Sequence, residues 1–176
     1  MQRIRVWDPL VRIVHWAVAL MVIAELTVID EDWALHRWVG YAVLGFVLLR
    51  LVWGLIGPRH ARFSAFPPSL AAAREHVAET LRGERRVHLS HNPLGALMAY
   101  NLWAALVALG VTGYMLGTNA FFGVEWVEEL HEAIADWVMI SVLLHVGGVV
   151  FETWRSGINL VRAMISGEKV LPGPAE

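Results

Sequence analysis

The sequence predicts an all-α fold, an integral membrane four-helix bundle. Hydrophobic residues make up 57% of its 176 positions and the mean hydropathy is +0.52, well above the range of a soluble domain of this length. Four apolar runs each reach the roughly 20 helical residues that a bilayer crossing takes. Charge is sorted to one side or the other of these runs. There is no cysteine, which excludes disulfides, cysteine-ligated iron–sulfur clusters and thioether-attached haem.

The chain reads as one membrane domain, 1–176, with spans at about 10–29, 32–56, 93–116 and 130–154. The first span follows a charged start, MQRIRVWDPLVRIVHW, with no short apolar core and small-residue cleavage site. No removable signal peptide is expected. The second span stops at Gly57-Pro58. The third opens at Asn92-Pro93, a capping residue followed by proline at the first helical position. The fourth is ELHEAIADWVMISVLLHVGGVVFETW.

Between the second and third spans, 58–91 is the one long connection. Within it Ser69–Arg82 reads as an amphipathic surface helix, with Leu70, Ala73, Val77 and Leu81 on one face and Gly83 at its end. The tail, 155–176, carries a similar pattern in Ile158, Val161 and Ile165. Both are expected on the membrane surface, in contact with lipid.

Arg3, Arg5, Arg12, Arg50, Arg59, Arg62, Arg74, Arg82, Arg85, Arg86, Arg155, Arg162 and Lys169 all fall on one side. The other side has Arg37 alone, among Asp30, Glu31, Asp32, Glu125, Glu128, Glu129 and Glu132. The positive-inside rule then places both termini in the cytoplasm. Trp7, Trp53 and Trp154 on the basic side, and Trp33, Trp38, Trp126 and Trp137 on the acidic side, fit two interfacial belts.

His131 and His145 lie fourteen residues apart on the fourth span. That separation returns to nearly one helix face and spans about 21 Å. His15 matches His145 in depth, and His36 matches His131. An antiparallel bundle can hold one ring system between each pair. Imidazole suits haem iron, and two axial histidines leave no open position, which means electron transfer and not oxygen chemistry. A lone histidine at a membrane edge is commonly an interfacial residue. A zinc site is the other alternative: two histidines fall short of its ligand number, and Glu132 and Asp136 near His131 are the residues that could assist. His60, His76, His88 and His91 fall in the basic-side connection and read as surface or capping residues.

Gly40, one turn after His36, and Gly147-Gly148, after His145, would admit a flat cofactor. Close helix packing uses the same residues. Arg37 on the acidic side, and Arg12, Arg50 and Arg59 on the basic side, are the cations that haem propionates could use; for Arg12, snorkelling is an equal reading. Glu25, an acid inside the first span, invites a proton or quinol role, or simply reaches water.

Four segments resemble the prokaryotic cytochrome b561 family, the group related to the cytochrome b subunit of nickel–iron hydrogenases. They are VWDPLVRIVHW, HRWVGYAVLGFVLLRLVWGLIGPRHARFSAF, HNPLGALM and LHEAIADWVMISVLLHV. The resemblance implies a four-helix core with two non-covalent haem b groups, His15 paired with His145 and His36 with His131. With four spans, the chain looks like the short members that serve redox partners other than hydrogenase. The function expected is electron transfer between the quinone pool and a periplasmic redox protein, such as a c-type cytochrome, across a bacterial inner membrane. Superoxide oxidation coupled to quinone, and a haem-containing anchor subunit, are the alternatives. A homodimer is possible on this reading, and no nucleic acid partner is expected.

Overall fold

The computed structural model describes residues 2–29, 33–84 and 86–171. Asp30, Glu31, Asp32 and Arg85, the side chain of Trp33 and the tail beyond Leu171 lie outside them. Six helices and two short strands follow in the order β1 Gln2–Arg5, α1 Pro9–Thr27, α2 Trp33–Ile56, α3 Leu70–Leu81, α4 Pro93–Leu116, α5 Glu125–Ser156, α6 Leu160–Ser166 and β2 Glu168–Leu171. Four of the helices are long and apolar enough to cross a membrane: Pro9–Thr27, Ala34–Ile56, Pro93–Leu116 and Glu125–Ser156.

Two of the spanning helices, α1 and α4, start where a side chain satisfies the first amides. The Asp8 carboxylate accepts from Leu10 N at 3.0 Å and Val11 N at 3.2 Å, with Pro9 at the first helical position. Asn92 accepts from Gly95 N at 2.7 Å ahead of Pro93. These caps occupy donors that an apolar medium would leave bare. The α5 helix begins ahead of its apolar run. Glu125 and Glu128 fill its first turn, where carboxylates suit the positive end of the helix dipole, and Arg155 fills its last. At 32 residues it is about 48 Å long, so its ends project beyond a hydrocarbon core of about 30 Å.

In the bundle α1 packs on α2, α2 on α4, and α4 on α5. Neither α1 nor α2 runs in close contact along α5. The central core is Val22, Val43, Val47, Ala105, Leu106 and Val138. Asn101 joins α4 to α5: its amide donates to Ser141 Oγ at 2.9 Å and accepts from Trp137 Nε1 at 3.0 Å. Such bonds link helices where burial of apolar surface gives little drive.

The tail differs from its sequence reading. Its helix ends at Ser166, with Gly167 at φ 86°, a left-handed conformation that glycine adopts freely. The chain then forms β2, which pairs antiparallel with β1, Gln2 opposite Leu171 and Arg5 opposite Glu168. Gly167 O accepts from Val6 N and Trp7 N at 2.9 and 3.1 Å. Ile158 is buried, not spread on a lipid surface. Beneath this clasp Val6, Trp7, Val11, Ala61 and Ala163 form a second core, so Trp7 is no belt residue. Trp38, Trp126, Trp137 and Trp154 are exposed, as an interfacial position requires.

On α3, Ser69 caps the first turn. Leu70, Val77 and Leu81 face outward, while Ala73, His76 and Glu79 are buried. Helix α3 packs on α4, and the small Ala73 side chain allows that approach.

Candidate functional site: two facing imidazole pairs

The structure brings the four intramembrane histidines together in two pairs. The rings of His15 on α1 and His145 on α5 have centroids 6.3 Å apart. Those of His36 on α2 and His131 on α5 are 6.1 Å apart. Metal–imidazole bonds are about 2.0–2.1 Å, and a ring nitrogen lies about 1.1 Å from the ring centre, so two axial imidazoles on one metal set their centroids about 6.2 Å apart. Both pairs have that spacing. Both also span the helix faces that do not pack directly, α1 against α5 and α2 against α5. A side chain added at Gly40, Gly147 or Gly148 would meet nothing within 4 Å. Among the described residues no group of three or more His, Cys, Asp or Glu could hold a bare metal ion. This donor set therefore fits a macrocycle that supplies its own equatorial ligands, and it lacks the ligands that zinc takes.

The pairs differ in what holds their rings. His36 Nδ1 lies 2.5 Å from Glu25 Oε2. An ionised carboxylate only accepts, so Nδ1 carries the proton and Nε2 the lone pair. His131 Nδ1 lies 2.8 Å from Thr112 Oγ1. That hydroxyl has one proton, which goes to Ala108 O or Leu109 O, each at 3.0 Å. It therefore accepts from His131 Nδ1–H, and again Nε2 is left free. A Cβ on Gly113 would stand 3.1 Å from His131 Cε1, so glycine there gives the ring its room. At the other pair, His15 Nδ1 is buried without a protein partner.

Around His15 and His145, further buried polar atoms lack protein partners, among them Arg12 Nε, Trp16 Nε1, Arg50 Nη1 and His91 Nδ1. Arg50 is 4% exposed. Its Nη2 donates to Ala61 O at 3.0 Å, and its guanidinium lies 4.9 Å from the Trp103 ring centre. A buried guanidinium with one free edge suits a carboxylate, and haem brings two. Arg37 is exposed on the acidic side. Arg59 is exposed beyond the end of α2.

The basic-side histidines are not all surface residues. His76 is 3% exposed. His91 packs against Phe66, with centroids 4.4 Å apart, and Trp7 at 5.0 Å. Burial, with Lys169 and Arg50 nearby, pushes its pKa down to about 3, so it is neutral at pH 7. Lys169 is buried too. Its ammonium donates to His88 O at 2.9 Å and Ser90 O at 2.8 Å, and burial pushes its pKa down to about 8. Burial also lowers His88, with the charges of His76 and Arg86 adding to it.

Sequence reasoning passed over Thr112 and the Glu25–His36 contact. A hydroxyl in an apolar helix, directly before Gly113, was the available signal for the first. Nothing in the sequence placed Glu25 opposite a residue eleven positions on in another helix.

Apolar spanning helices carrying paired imidazoles define a multi-pass membrane protein of the haem-binding electron-transfer class. The chain matches the family of prokaryotic cytochrome b561 over residues 6–167. It belongs to that family, and is a membrane b-type cytochrome acting in electron transfer. Among curated proteins none matches it.

Proposed function

We propose that this chain is a dihaem cytochrome that moves electrons between the quinone pool and a periplasmic redox protein, most simply a basic c-type cytochrome. The observation that carries the reading is the pair of imidazole pairs at two depths of one bundle. In this reading His15 and His145 hold one haem, and His36 and His131 the other. Haem iron with two axial imidazoles supplies one-electron transfer without an open coordination position.

The protein's own part is to fix ligands and to separate the two sites along α5. His131 and His145 are set apart by about 21 Å of helix, one towards each membrane surface. Thr112 and Glu25 hold the protons of His131 and His36. Arg50, with its free edge, is a propionate anchor on the basic side, and Arg37 is the basic candidate on the acidic side. Gly40 leaves the space beside His36 open.

The charge distribution supports both termini being cytoplasmic in a bacterial inner membrane. Glu125, Glu128, Glu129 and Glu132 are all exposed at the start of α5. They form an acidic face that would raise the encounter rate with a basic partner.

Haem counting by pyridine haemochrome on purified variants tests the assignment. His36→Ala and His131→Ala should each lose one and the same haem. His15→Ala and His145→Ala should each lose the other. Two haems retained in His131→Ala would overturn the pairing. Reduction by quinol of one haem but not of the variant lacking it would identify the quinone-side site.

A further inference from the structure

The two pairs are not chemically equivalent, and the difference lies in one carboxylate. Glu25 stands inside α1, a little over half a turn from the helix end at Thr27. Its side chain is 14% exposed, against 47% for His36. One oxygen meets His36 Nδ1 at 2.5 Å. The other, Oε1, is buried without a protein partner. The carboxylate is thus committed to a single imidazole proton in a weakly solvated place.

A carboxylate that accepts the N–H of a metal-bound imidazole fixes its tautomer and makes its other nitrogen a stronger donor. A stronger anionic donor favours the higher oxidation state of iron, so hydrogen bonding around an axial ligand is one of the levers on haem potential. Thr112, a neutral acceptor for His131, exerts the same pull more weakly. His15 Nδ1 has no protein acceptor at all.

We propose that Glu25 is a positioning residue that holds the His36 proton, leaves Nε2 to bind iron, and lowers the reduction potential of the acidic-side haem. This rests on the bis-histidine reading of the site. It makes the acidic-side haem the one whose potential the protein sets by charge, through a residue on a helix that supplies no ligand to that haem.

The test is optical redox potentiometry on the purified haem-loaded protein, wild type and Glu25→Gln, with haem content measured on each sample. Glu25→Gln keeps size and an acceptor oxygen but removes the charge. The expected result is a roughly tenfold shift of one haem's reduction equilibrium towards the reduced form, about 59 mV for a one-electron couple, with the other haem unmoved. The highest g value of the same haem's low-spin EPR signal should move with it. Glu132→Gln removes a charge next to His131 without touching either ligand nitrogen. It should leave that g value in place, which separates ligand tuning from through-space charge.

Unchanged potentials and g values in Glu25→Gln, with both haems bound, would overturn the proposal and leave an ordinary ion pair. Equal shifts of both haems would also overturn it. If Glu25→Gln fails to retain the haem, Glu25→Asp is titrated by the same criterion, since its shorter arm weakens the contact and should shift the same haem in the same direction. Failure of the underlying reading looks different: His36→Ala would then keep both haems.

Discussion

The acidic-side and basic-side imidazole pairs have nearly the same ring spacing and opposite surroundings. At His36 and His131 each Nδ1 is held by a partner from a neighbouring helix, Glu25 on α1 and Thr112 on α4. The face beyond them is acidic and exposed. At His15 the ring Nδ1 is buried without a protein partner, and Arg12 Nε, Arg50 Nη1 and His91 Nδ1 are buried without one too. That end is closed by the two-stranded clasp. One end of the bundle therefore has its imidazoles oriented by neighbouring side chains and an exposed acidic face. The other lies under the two-stranded clasp and keeps buried polar atoms without protein partners.

Four measurements can break or sharpen this contrast. The largest effect should come from acid. His91 is held neutral by burial, with its pKa near 3 against 6.5 unfolded. Its folded pKa is depressed, so below pH 6.5 the unfolded chain binds the proton and the folded one does not. Stability present above pH 6.5 is lost as pH falls towards 3, by roughly 3–5 kcal/mol at full extent. Thermal unfolding of His91→Phe in detergent should be flatter over that window, since a phenyl ring keeps the contacts with Trp7 and Phe66. An equally steep acid limb in this variant would place the liability elsewhere.

Next is Lys169→Ala, which leaves the carbonyls of His88 and Ser90 without their donor. It should cost about 2 kcal/mol at pH 7, read as a fall in the melting temperature. A companion cut at the acidic face, Glu129→Gln, should leave that temperature unchanged. The third concerns rate. Neutralising Glu125, Glu128, Glu129 and Glu132 together should slow reaction with a basic c-type cytochrome by about tenfold at low salt, with little difference at high salt. A rate insensitive to both charge and salt removes the docking face from the account. The smallest is Gly113→Ala. Its methyl group would press on His131 Cε1, and should perturb only the spectrum of the acidic-side haem, with a stability change below about 1 kcal/mol.

Much of the bundle was legible in the sequence because membrane helices obey few rules. Length, hydropathy and the sorting of arginine are local properties, and Asn92-Pro93 states its cap outright. The histidines on α5 were legible for the same reason, since helical period fixes their shared face. Residues whose meaning depends on another helix were not. Glu25 reads from sequence as an acid with a proton or quinol role or one that simply reaches water, yet it faces His36 across a helix boundary. Lys169 reads as one more cytoplasmic charge, yet it is buried and bonded to two carbonyls some eighty residues away. His91 reads from sequence as a surface or capping residue, yet it is walled by Trp7 and Phe66. The tail's pattern of Ile158, Val161 and Ile165 suited a surface helix. Pairing with the first residues of the chain overrode it after Gly167.

The clasp between Gln2–Arg5 and Glu168–Leu171 also bears on time. A chain made from its first residue onward has inserted all four spans before β2 exists. Until then β1 has no strand to pair with, and Val6 and Trp7 lack the Gly167 carbonyl. Since α1 carries both His15 and Glu25, one residue of each pair's surroundings sits on the helix whose start is fastened only once β2 is made. Closure of the strand pair is then a late step: the last described segment to be made is the one that fastens the first described segment.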